Sequence, residues 1–151
     1  RYFCAGAICM FDTLPGQIGA VISFLVVSFA FLKGGEAERF GAGAYALGWL
    51  ASLVVQGDGQ LYSVQWAMLA IDFAVLCAFI AIAWRSRQAW PIWAAAFQGL
   101  SVLSHIMAIM DVRPAISAYY TVINLAGYGV LVSLAVGVFW AWQERRAAGL
   151  E

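Results

Sequence analysis

Few side chains in this chain can hold a charge or a proton at depth, and Asp72 is the foremost. It stands near the middle of Leu61–Trp84, a run that is apolar almost throughout and long enough to cross a bilayer. A carboxylate at bilayer depth is costly unless it is protonated, paired or hydrated, so its presence there points to function. His105, the one histidine of the chain, lies with Gln98 and Ser101 at spacings of three and four, which places all three on one helix face. Gln65 precedes Asp72 by seven residues and shares its face, and Tyr120, Asn124 and Tyr128 recur every four residues further on. Counted at about 1.5 Å per residue, Asp72 lies about 16 Å below the outer end of its helix and Asn124 about 15 Å below the start of its own. His105 and Tyr120 lie about 7–9 Å in. Gln65, Asp72, Gln98, Ser101, His105, Tyr120 and Asn124 are therefore the candidate ligand or proton path, lining a polar cavity that opens outward.

The chemistry suited to such a set is proton movement. Imidazole titrates near pH ~6.5 in water, and desolvation favours the neutral form of a carboxyl group. An organic cation is the other ligand class, with Asp72 as its counter-ion. In a competing expectation the same groups are interhelical hydrogen bonds, each contributing roughly 0.6–2 kcal/mol.

Other chemistries find less support. No HExxH, GxSxG or Ser/His/Asp spacing suggests an intramembrane hydrolase, so an enzyme is not expected. Asp72 and His105 are too few ligands for a metal site, and no cofactor is expected. Cys4, Cys9 and Cys77 show neither CxxC nor CxxCH spacing. With a formal net charge of zero and no basic stripe, no nucleic-acid partner is expected.

The elements that must position these residues are transmembrane helices. The chain has 151 residues, of which 64% are hydrophobic and 11% charged; a soluble domain carries about 25% charged residues. The sequence predicts an all-α membrane protein, a five-helix up-down bundle with helices at about 15–32, 40–56, 61–84, 90–110 and 114–146. Residues 1–14 form an N-terminal segment and 147–151 a tail. Met10-Phe11-Asp12 reads like a native start, which would make 1–9 an extension, and Leu150-Glu151 reads like a cloning remnant. Pro15, Pro91 and Pro114 all fall at helix starts, where the missing N–H has no helical partner. Glu36-Ala37-Glu38-Arg39 reads as a charged turn between the first two helices. Ala44, Gly48 and Ser52 make one small-residue strip, and Gly129, Ser133 and Gly137 another; both predict close helix packing. The short loops force sequential neighbours to run antiparallel.

Lys33, Arg39, Arg85, Arg87, Arg145 and Arg146 fall on one side of a five-span bundle, which puts the N-terminus outside and the C-terminus in the cytoplasm. Trp84, Trp90, Trp93, Trp140 and Trp142 gather at the cytoplasmic ends as an interfacial belt. The expected location is a bacterial inner membrane. The expected partners are the bilayer, further copies or another membrane protein, and a small molecule or proton. The leading expectation is a transporter, channel or sensor centred on Asp72. The alternatives are a non-catalytic membrane subunit, assembly factor or holin-like oligomer, and a pigment- or redox-cofactor-binding protein using His105. A reporter fused to the C-terminus should read as cytoplasmic; an external signal would overturn the five-span orientation.

Overall fold

In the computed structural model the described residues are 14–55, 66–110 and 116–149. They form five helices: α1 (Leu14–Lys33), α2 (Glu36–Val55), α3 (Trp66–Ser86), α4 (Trp90–Ile109) and α5 (Ile116–Ala147). Each helix packs on the next in the chain, and α5 returns against α1 and, less extensively, α2. The two-residue link between α1 and α2 makes them antiparallel, as does the three-residue link between α3 and α4.

Among the described residues, four helical stretches are long and apolar enough to cross a membrane: Gly16–Lys33, Trp66–Ser86, Trp90–Ile109 and Thr121–Ala147. α2 is as long as α1 but falls short in composition, because Glu36, Glu38 and Arg39 open it and Gly41, Ala42, Gly43 and Ala44 follow. The exterior of the bundle is apolar on every helix, as at Phe24, Leu47, Val54, Phe73, Ile92 and Leu125. This is the reverse of a soluble helix, whose exposed face is charged.

The start of α2 corrects the sequence reading. Glu36-Ala37-Glu38-Arg39 is not a turn but the first turn of the helix, which begins four residues before the expected Phe40. Gly34 and Gly35 break the chain, and Gly35 then serves as the N-cap: its carbonyl accepts the Arg39 N–H at 3.0 Å. The Glu38 carboxylate reaches back to accept the Gly35 N–H at 2.9 Å, one half of a capping box. Two acidic side chains also suit the positive end of a helix dipole.

Glu38 is buried to 1% exposure because it has a second task. Its other oxygen accepts the indole N–H of Trp90, the first residue of α4, at 3.0 Å. Gln88 Oε1 shares that N–H at 2.7 Å. Trp90 therefore departs from the interfacial belt: it is a core residue, 6% exposed, whereas Trp84, Trp93 and Trp140 are exposed. Its ring meets Phe79 edge-to-face, with centroids 6.4 Å apart and planes at 83°. A glycine flanks it on either side. A Cβ on Gly41 would stand 2.5 Å from Trp90 Cη2, and a Cβ on Gly137 would collide with the pyrrole side of the same ring.

The small-residue strips act in the same way. A Cβ on Gly129 would lie 2.5 Å from the Phe97 ring, and one on Gly48 2.6 Å from Val75 Cγ2. Large side chains of α3 and α4 thus fill hollows that glycines leave in α2 and α5. The end of α5 is tied to the end of α1 by the Arg145 guanidinium, which donates to the Lys33 carbonyl, one of the carbonyls a helix end leaves without an internal partner. Arg87, at φ 54, turns the chain out of α3 in the left-handed region.

This packing predicts a contrast between glycines. Gly137→Ala places a methyl group into the Trp90 ring and should destabilise the bundle by about 1–3 kcal/mol. Gly127→Ala, on the same helix, meets nothing within 4 Å and should be neutral or stabilising by up to about 1 kcal/mol. Thermal melts in detergent micelles compare the two; equal effects would contradict the caged Trp90.

Candidate functional site

Asp72 lies on α3 two turns from its described start, with only alanine and large apolar residues around it in the chain. Its carboxylate cannot be satisfied by its own helix, whose carbonyls and N–H groups are already bonded to one another. Its partners come from α4. Gln98 Nε2 donates to Asp72 Oδ1 at 3.0 Å and also lies 3.3 Å from the Asp72 carbonyl oxygen. His105 Nε2 lies 3.1 Å from Asp72 Oδ2. Gln98 and His105 are seven residues apart, two turns of helix, so a single face of α4 delivers both. Gln98 and His105 bracket the carboxyl group, one on each oxygen.

The chain of contacts extends to α5. Tyr119 Oη lies 3.1 Å from His105 Nδ1. The two rings also meet edge-to-face, with centroids 6.2 Å apart and planes at 77°. Both imidazole nitrogens are therefore engaged, Nε2 by a carboxylate and Nδ1 by a phenol. The site is shielded without being sealed: the His105 side chain is 10% exposed and that of Asp72 23%. Among the described residues no buried side-chain nitrogen or oxygen lacks a hydrogen-bond partner.

The candidates named from sequence divide as follows. Asp72, Gln98 and His105 are brought together. Ser101 is buried on the same face of α4, between the two Asp72 ligands. Asn124 is exposed on α5 and does not join the cluster. Its helix turns Ala126, Val130, Ser133 and Gly137 inward instead, on the face where Gly129 and Gly137 admit Phe97 and Trp90 of α4. Gln65 and the side chain of Tyr120 lie outside the described residues.

Tyr119 was missed by sequence reasoning, which followed the regular spacing of Tyr120, Asn124 and Tyr128. The signal that finds it is the second small-residue strip. Tyr119 precedes Ala126 by seven residues and Ser133 by fourteen, so it continues the packed face of α5 by whole pairs of turns. Tyr128, also part of the expected stripe, turns toward α1: its hydroxyl would lie 3.1 Å from a Cβ on Gly19.

Among the described residues no three His, Cys, Asp or Glu side chains gather as a metal site. Cys77 is exposed on the outer face of α3. No protein family, curated protein or solved structure shows significant similarity to this chain.

Proposed function

We propose that this chain is a multi-pass integral membrane protein that moves a small cation or proton across a bacterial inner membrane through the Asp72–His105 centre. In this reading all five helices cross the bilayer, with the N-terminus outside and the C-terminus in the cytoplasm. α2 completes the set because its charged first turn is placed at the cytoplasmic face, where the Glu38 carboxylate is absorbed by the Gly35 N–H and the Trp90 indole. The exposed apolar side chains face lipid or further copies of the chain.

The observation that carries the reading is the bracketed carboxylate. Asp72 sits within an apolar helix, yet three helices supply groups able to exchange protons in one connected line. Intramembrane carboxyl and imidazole groups facing a bundle interior mark ion and proton pathways. The one-sided placement adds to this, since Tyr119, His105 and Asp72 all belong to the end of the bundle that the positive-inside rule assigns to the outside.

A second reading has its own support. Every buried polar side-chain atom among the described residues is satisfied within the chain, as it would be in a clamp that fixes α3, α4 and α5 for a non-catalytic membrane subunit or assembly factor.

Asp72→Asn separates the two. Asparagine keeps the shape and the acceptor for Gln98, and His105 can accept from its amide by changing tautomer, so the fold is retained. In sealed liposomes under a membrane potential, the wild-type protein should pass cations and folded Asp72→Asn protein should fall to the protein-free rate. Equal flux from the two proteins, or none from either, would leave the clamp as the better account.

A further inference from the structure

We infer that the cargo of this centre is the proton itself, and that Tyr119 is the residue that exchanges it between His105 and the outer end of the bundle. The inference rests on the cation-moving reading above and narrows it to one ion and one route.

The first argument is the occupancy of the ligand atoms. A metal or organic cation needs lone pairs that are free to turn toward it. Here Asp72 Oδ1 is held by Gln98, Asp72 Oδ2 by His105 Nε2, and His105 Nδ1 by Tyr119. A larger cation competes with these partners for the carboxylate and finds no lone pair left on the imidazole, whereas a proton enters by using the contacts themselves.

The second argument is that the chain of contacts is self-consistent in two polarities. With Asp72 ionised, Tyr119 O–H donates to His105 Nδ1 and His105 Nε2–H donates to Asp72 Oδ2. A proton arriving on Tyr119 Oη displaces the hydroxyl proton onto Nδ1. The imidazolium so formed releases its Nε2 proton to Asp72 Oδ2. The result is a neutral Asp72 whose O–H donates to Nε2, with Nδ1–H donating to Tyr119 Oη and the tyrosine hydroxyl proton turned away. One O–H bond forms at Asp72, and one N–H is exchanged for another on the ring. The charge of the site rises by one, and Tyr119 again carries one proton, the incoming one, its original proton having passed to Nδ1. Gln98 donates to Oδ1 in both polarities, so the carboxyl group need not move.

The third argument is direction. Tyr119 is the fourth residue of α5, and His105 is four residues from the end of α4. At about 1.5 Å per residue they lie about 5 and 6 Å from the same end of the bundle, and Asp72 about 9 Å from the described start of α3. The line Tyr119–His105–Asp72 thus descends inward from that end. Tyr119 is half-buried, which suits an exchanging group at the mouth of a path.

The test uses full-length protein in vesicles that enclose a pH-sensitive dye, with a potassium diffusion potential as the driving force. Sodium and tetraethylammonium uptake are measured in parallel. Wild-type protein should carry protons and neither of the other cations. Tyr119→Phe keeps the ring contact with His105 and the fold, with the loss of one hydrogen bond, but should slow proton flux at least tenfold. Tyr119→His restores a group that both donates and accepts and should recover part of the rate, although it packs less like tyrosine than phenylalanine does. Proton flux through Tyr119→Phe at the wild-type rate, or slower flux through Tyr119→His than through Tyr119→Phe, would overturn the relay and leave the cation-moving reading intact. Sodium or tetraethylammonium uptake that is lost in Asp72→Asn would do the same. No Asp72-dependent movement of any of the three would overturn both.

Discussion

The bundle depends on the fact that a carboxylate inside an apolar helix must find donors on another helix. Asp72 has no polar neighbour of its own helix within reach in the described sequence. Leaving a carboxylate unpaired in apolar surroundings costs several kcal/mol. The requirement fixes the register of α4 against α3: only one rotation and one height put Gln98 on Oδ1 and His105 on Oδ2 together. Apolar packing in lipid is a weak guide to register, since a helix can slide or turn against a similar surface with little change in buried area. A bracketed carboxylate is a strong one, because a shift of one residue, about 1.5 Å and 100°, breaks both contacts.

The opposite end of α4 is fixed by a different device with the same logic. Trp90 fills the hollow between Gly41 and Gly137 and gives its N–H to the buried Glu38 carboxylate. α4 is thereby held at two points: at its first residue by shape and the Glu38 hydrogen bond, and between Gln98 and His105 by the contacts to Asp72. Between them lie Ala94 and Phe97, packed with Val130 and Leu134 of α5 in an apolar layer. The polar centre and the Glu38 centre are thus separated along α4 by apolar contacts.

Much of this was legible in the sequence because reading long apolar runs against a bilayer narrows the choices. A bilayer admits only helices or closed barrels, so long uncharged runs and proline positions were enough to place α1, α3, α4 and α5 to within a few residues over their described parts. The start of α2 was not, because a charged tetrapeptide after two glycines has the composition of a turn. Only the contacts of Glu38 with Gly35 and Trp90 make it helical. Trp90 was misplaced for a related reason: tryptophan at a helix end is the signature of an interface, and nothing local reports that Gly41 and Gly137 will make room for it. Gln98 and His105 were found because two-turn spacing on one helix is a local property. Tyr119 and Tyr120 are adjacent in sequence but 100° apart on the helix. The place of Tyr119 turns on which face of α5 packs against α4, and Gly129 and Gly137 carry that information further down the helix.

The chain has one histidine, which makes the central contact directly observable. Protein labelled with nitrogen-15 in histidine and placed in bilayers gives two ring resonances, both from His105. With Nε2 on Asp72 and Nδ1 on Tyr119, the tautomer change in Asp72→Asn should move both ring resonances, in opposite directions, and Tyr119→Phe should move chiefly the Nδ1 resonance. Ring resonances that ignore Asp72→Asn would show that the imidazole and the carboxylate are not in contact, and the structure would lose the interaction that sets its register.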